Sequence, residues 1–193
     1  MKKQLYKFIF FRLLGWKLIG TLDKSIKKCV VIVIPHTANV DFFIALLVRG
    51  IMNVEINFVG KKELFVFPLG YYFRSVGGAP LDRSGGKNNV DATAEVFKNN
   101  EIFRLALSPE GTRKKVTELR TGFYYIALKA GVPIIPIAFD YGKKEVRIGI
   151  PVNVTGNYEE DMKVILPFYK GVKGKNPERG FSSVQFGAAS SEV

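Results

Sequence analysis

The stretch "VIVIPHTANVDFFIALL", Val31 to Leu47, decides how the rest of the chain reads. Val30 to Ile34 is a continuous β-branched run, the mark of a strand buried on both faces. Pro35 keeps Ile34 extended, and from Asp41 a helical pattern runs to Met52. Between strand and helix stands His36, the sole histidine of the chain. On one continuous helix, His36 and Asp41 would point about 140° apart and could not touch. They meet only if His36 lies in the turn and Asp41 in the first helical turn, where the helix dipole favours a carboxylate. Thr37 or Asn39 is placed to cap that helix. The carboxylate can then hold one imidazole nitrogen and leave the other as a base. That is a hydrolase triad without its serine. The fragment alone fits better an ordinary first-turn acid beside an incidental strand-end histidine.

The chain of 193 residues fits one domain, and 47% hydrophobic residues supply a sizeable core. A formal net charge of +12 points to anionic partners: phosphate-bearing metabolites, a membrane surface or nucleic acid. Cys29 is the only cysteine, which excludes an internal disulfide framework; with one histidine beside it, a zinc site is not expected, and no metal is assigned.

The opening "MKKQLYKFIFFRLLGWKLIG" starts like a signal peptide, but Arg12 and Lys17 interrupt the apolar run. It is too short and too charged for a lone bilayer-spanning helix. A helix over Lys3–Ile19 places Lys3, Lys7 and Lys17 on one side, with Phe8, Phe11 and Trp16 elsewhere and Arg12 toward the opposite side. With charges all of one sign, it reads as a basic helix lying in a membrane interface, against the alternative of a terminal helix packed on its own core.

Further strands read at "INFVG" (56–60), "EIFRLALS" (101–108), "VPIIPIAF" (132–139) and "EVRIGIP" (145–151). Helices read at 90–99, at 122–130 closed by Gly131, and at 158–169, with a helical stretch broken by Pro68 and Gly70. The alternation predicts an α/β fold: a single domain with a mostly parallel central sheet flanked by helices. Pro133 and Pro136 suggest that their strand is an edge or irregular. The polar, Gly/Ser-rich stretch after Gly171 reads as a loose tail.

In a parallel sheet, ligands bind beyond the carboxyl ends of the strands. His36 stands there, and so do "GGAPLDRSGG" with Arg83 and "SPEGTRKK" with Glu110, Gly111, Thr112 and Arg113. Each is also an ordinary polar loop. Together they suggest one pocket, in which Arg83 can hold a phosphate through paired N–H donors.

These blocks in this order resemble the glycerolipid acyltransferases related to 1-acylglycerol-3-phosphate acyltransferase. The correspondence comprises H-x-x-x-x-D (His36 to Asp41), the glycine-containing stretch ending at Arg83, "SPEGTRK" and the proline-containing "VPIIPIAF". It spans about residues 31–139. Ser108 and Lys114 stand where the family usually has Phe and Ser; the core from Pro109 to Arg113 is intact.

The resemblance implies a glycerol-3-phosphate acyltransferase-like fold with an acyltransferase domain over 21–171, to which composition and charge add a membrane-interface helix over 1–20 and a flexible tail over 172–193. It implies transfer of a fatty acyl group from acyl-CoA or acyl carrier protein to the hydroxyl of a lysophosphatidate-like lysolipid in phospholipid biosynthesis. No acyl-enzyme forms, and no cofactor is needed beyond the acyl donor. His36 would be the general base and Asp41 its orienting partner. Arg83 and Arg113 would hold the acceptor's phosphate. Glu110, Gly111 and Thr112 would shape the acceptor site, with the Gly111 amide a candidate oxyanion donor and Lys61 a further phosphate contact. The implied location is membrane-associated, peripheral or monotopic, on the cytoplasmic face, with no specific nucleic-acid partner. Two alternatives are an acyltransferase for another lysolipid and a non-catalytic protein that binds anionic membranes; a third is a hydrolase passing the acyl group to water.

Overall fold

The structure, a computed structural model, describes residues 2–81 and 89–181. α1 (Lys2–Lys7) continues as a π-helical segment, Phe8–Leu13, followed by β1 (Lys17–Ile19), β2 (Lys28–Ile34) and α2 (Val40–Met52). Next come β3 (Asn57–Lys61), a 3₁₀ turn at Lys62–Phe65, α3 (Leu69–Ser75), β4 (Gly78–Leu81), α4 (Asn89–Asn99) and β5 (Phe103–Leu107). α5 (Gly122–Ala130), β6 (Ile134–Asp140), β7 (Glu145–Ile148), α6 (Tyr158–Ile165) and a 3₁₀ turn at Leu166–Tyr169 complete the described chain.

One seven-stranded sheet runs in the order β1-β7-β6-β2-β5-β3-β4, parallel except between β6 and β7. β2 lies at its centre. Successive side chains of a strand point to opposite faces, and β2 feeds both halves of the core. Val30, Ile32 and Ile34 pack with Phe97, Tyr124, Ile126 and Ile165 on one face. Cys29 and Val31 pack with Phe10, Ile44, Val48 and Ile51 on the other. Burial pushes the Cys29 thiol up to about 12, consistent with a core residue.

The mostly parallel α/β sheet is as the sequence predicts. Three local expectations fail. The Lys3–Ile19 helix stops short: Gly15, at φ +67°, turns the chain, and Lys17–Ile19 pairs with Glu145–Arg147 as an edge strand. Phe10 is fully buried, and Trp16 packs edge-on to Tyr141 with ring centroids 4.8 Å apart. Leu5, Phe8, Phe11 and Leu13 stay exposed. The N-terminal segment is therefore part core and part surface.

The strand read with two prolines begins after Pro133, keeps only Pro136 and is an inner one. β6 lies between β2 and β7, and all seven of its residues are buried. Pro136 accepts from the Gly149 amide at 2.8 Å, one residue beyond the β7 pairing. A residue's N and C=O point to the same side of a strand, so its missing N–H falls beyond the end of β7 and leaves the β2 ladder intact.

The third failure is the tail. From Gly171 to Phe181 the chain lies back on the loops after β2 and β5. The Asn176 amide donates to Thr37 Oγ1 at 3.2 Å, and the Asn176 side chain donates to the Thr37 carbonyl at 3.0 Å. Val116 and Phe181 form a bridge. Residues 182–193 lie outside the described residues.

Candidate active site

β2 delivers His36 to the carboxyl edge of the sheet, and α2 starts at Val40, so Asp41 sits in its first turn. His36 Nδ1 lies 3.1 Å from Asp41 Oδ2. The Ala38 amide donates to the same oxygen at 2.9 Å, and the Tyr141 hydroxyl donates to Oδ1 at 2.5 Å. Neither expected cap forms. Asn39 is the N-cap without a side-chain bond, and Thr37 Oγ1 is engaged by Asn176. Asp41 is buried, yet the His36 side chain is 29% exposed. The imidazole therefore touches its carboxylate and still reaches solvent.

Burial works to raise the Asp41 pKa, but hydrogen bonds from His36, Tyr141 and the Ala38 amide outweigh it and hold the group below its ordinary 3.8. An ionised carboxylate only accepts, so Nδ1 carries the hydrogen, and in the neutral ring Nε2 is the nitrogen with the free lone pair. Burial first, then the hydrogen bond to Asp41, pushes the Tyr141 hydroxyl far up, so it remains a donor.

Glu110 differs from expectation. Its carboxylate turns inward, accepting from the His36 amide at 2.6 Å and the Phe181 amide at 2.7 Å, with Ser108 Oγ at 3.4 Å. The side chain is buried, and desolvation raises its pKa despite those bonds. Glu110 thus holds the His36 and Phe181 amides with a carboxylate that is turned away from solvent.

Gly111 has φ +62°, and its amide donates to the Ser108 carbonyl at 3.0 Å, so that N–H is not available as an oxyanion donor. A Cβ there would meet the Arg120 side chain at 2.5 Å. Thr112 Oγ1 accepts from the Lys114 amide at 3.3 Å and closes the turn. Arg113 is exposed and pairs with no carboxylate among the described residues. Lys61 ends β3 at the same edge of the sheet. Arg83 lies outside the described residues.

Two residues here carry no local sequence signal. Tyr141 follows β6 as His36 follows β2, and that shared position past a strand end is the clue to it. Arg120 enters the site only because Gly111 makes room. The assembly can do one thing well: accept a proton at His36 Nε2 from a hydroxyl or water beside exposed cationic side chains.

The sequence model of the family described as Acyltransferase matches residues 19–140. The 1-acyl-sn-glycerol-3-phosphate acyltransferase of Haemophilus influenzae is 28% identical over 123 residues, 54% of this chain and 51% of its own. That of Escherichia coli is 34% identical over 85 residues, covering 41% and 35%. The chloroplastic 1-acyl-sn-glycerol-3-phosphate acyltransferase BAT2 of Brassica napus is 31% identical over 127 residues, covering 62% and 35%. The chain thus spans about half or less of the length of these relatives. The crystal structure of the 1-acyl-sn-glycerophosphate (LPA) acyltransferase PlsC from Thermotoga maritima superposes with a TM-score of 0.59 at 20% identity, over 84% of this chain and 74% of that one. That likeness concerns the fold.

Proposed function

The chain belongs to the acyltransferase family, and we propose that it moves a fatty acyl group from a thioester, acyl-CoA or acyl carrier protein, to the hydroxyl of a lysophosphatidate-like lysolipid. The observation that carries this reading is the contact of His36 Nδ1 with a buried Asp41 beside an open imidazole edge. His36 Nε2 takes the acceptor's hydroxyl proton as its oxygen attacks the thioester carbonyl. The tetrahedral intermediate collapses, the C–S bond breaks, and the leaving thiolate takes the proton from the imidazolium. Asp41 balances the charge on His36 in between. The acceptor oxygen is the nucleophile throughout, so no serine or cysteine is required.

Arg113 supplies the phosphate contact, with Arg83 and Lys61 as the other candidates. Glu110, Gly111 and Thr112 act by shaping the loop that carries Arg113 and by pinning His36. Attachment is peripheral or monotopic, on the cytoplasmic face, through the basic N-terminal segment. No helix among the described residues is long and apolar enough to cross a membrane. The test is a panel of lysolipid acceptors with labelled acyl-CoA and acyl carrier protein, run on the wild type and His36→Ala. Acceptor-dependent transfer that falls on the order of 100-fold in the variant supports the reading. Acyl release to water independent of acceptor, or full activity in the variant, overturns it.

A further inference from the structure

The turns after β2, β3, β5 and β6 share the carboxyl edge of the sheet with His36. The N-terminal segment reaches the same edge. Lys17 pairs with Glu145, which in turn pairs with Asp140 at the end of β6. The residues just before Lys17 therefore stand level with Tyr141. Three segments at this edge carry exposed apolar side chains. Leu13 is 70% exposed and Phe11 is exposed beside it. Phe43 is exposed two residues past Asp41. After β3, Val66, Phe67 and Leu69 are exposed in a row, Phe67 to 83%. A monomeric soluble protein rarely leaves such residues clustered in solvent.

The charges around them are complementary to one surface. Arg12, Arg113, Lys143, Lys144, Lys173 and Lys175 are exposed in the segments of this edge. Its acids Asp41, Glu110 and Asp140 are buried, and exposed Glu63, Glu118 and Glu178 are fewer than the cations. Apolar tips from three separate segments, interspersed with basic side chains, need no shape-matched partner, only an apolar layer beneath an anionic one.

We infer that the whole catalytic edge of the sheet docks face-on to an anionic lipid bilayer, with the Val66–Leu69 turn as a second insertion point apart from the N-terminal segment. This extends the membrane attachment proposed above from one segment to a face. Docked in this way, His36 opens at the level of the lipid headgroups, where a lysolipid presents its free hydroxyl.

The test is flotation of the full chain with vesicles of phosphatidylcholine alone and of phosphatidylcholine mixed with phosphatidylglycerol. A parallel assay measures turnover of a water-soluble short-chain lysophosphatidate. The double variant Phe67→Ser, Leu69→Ser should bind the mixed vesicles at least about tenfold more weakly, given the value of burying two such side chains. Its soluble turnover should match the wild type. Ile150, 79% exposed at the opposite edge, provides the control: Ile150→Ser should float as the wild type does. Undiminished binding of the double variant overturns the inference, as does equal loss in Ile150→Ser or indifference of the wild type to phosphatidylglycerol. Should flotation behave as stated while none of the proteins transfers an acyl group, the docking face stands and the proposed reaction falls.

Discussion

The Tyr141 hydroxyl donates to Asp41 Oδ1 at 2.5 Å, joining residues a hundred positions apart around one buried carboxylate. The carboxylate's other oxygen takes the Ala38 amide and faces His36 Nδ1. Tyr141 is held in turn by Trp16, and the Trp16 and Phe10 ring centroids lie 6.2 Å apart, so the N-terminal segment backs the His36–Asp41 pair.

Tyr141→Phe keeps the ring on Trp16 and removes only the hydroxyl. Asp41 becomes freer to rotate, and its pKa rises toward 3.8. We expect kcat to fall about tenfold with KM little changed, the loss of one hydrogen bond to a charged group. Acid unfolding should also move to higher pH. Asp41 is depressed in the folded state, so its stabilisation is lost as pH falls through the folded pKa, and the variant raises that value. A purely packing role for Tyr141 predicts no such movement in a pH titration of unfolding.

Asp41 and Glu110 act with opposite signs on stability. Asp41 contributes fully above its ordinary 3.8 and loses its contribution as pH drops below it. Glu110 is raised by burial, so its contribution is complete below its ordinary 4.5 and declines as pH climbs through the higher folded value. Thermal unfolding measured across pH should therefore show the wild type losing its advantage over Asp41→Asn in acid. Against Glu110→Gln, the wild type should lose ground as pH rises from 4.5.

Much of this arrangement is legible in the sequence, for local reasons. The β-branched run marks β2, Gly131 marks the end of α5, and the turn between strand and helix permits the His36–Asp41 contact. What escapes is non-local. Phe10 and Trp16 are indistinguishable from membrane-facing aromatics until Tyr141 packs against Trp16. Pro136 suggests an edge until the direction of its missing N–H is known. Glu110 reads as a ligand contact because its partner, the Phe181 amide, belongs to a segment whose composition suggests a loose tail. Tyr141 has no motif around it.

Arg113 is exposed in the loop after β5, while Gly111 and Thr112 are committed to that loop's own bonds and Glu110 to the amides of His36 and Phe181. Arg113→Ala should therefore raise KM for a phosphate-bearing acceptor about tenfold, as expected for a charge-assisted contact. Turnover of a neutral monoacylglycerol should be unaffected. Equal losses on both acceptors in steady-state kinetics would assign Arg113 to the loop's structure.

The last prediction separates the C-terminal strap from the fold it crosses. Gly180 and Gly171 have left-handed φ values, +77° and +75°. Alanine at either costs about 1–2 kcal/mol of backbone strain. Around Gly171 nothing lies within 4 Å of an added Cβ, whereas at Gly180 it would meet Glu110 Oε1 at 2.6 Å and Thr37 Cγ2 at 2.9 Å. Both variants should lose similar stability from strain, and Gly180→Ala somewhat more. Only Gly180→Ala should displace the carboxylate that anchors the His36 amide, so only it should lower kcat, by about tenfold for a small misplacement of the base. Denaturant unfolding and kcat measured on the pair decide the matter. If kcat falls equally in both, the strap supports the domain in general; if it falls only in Gly180→Ala, the strap holds the base in place.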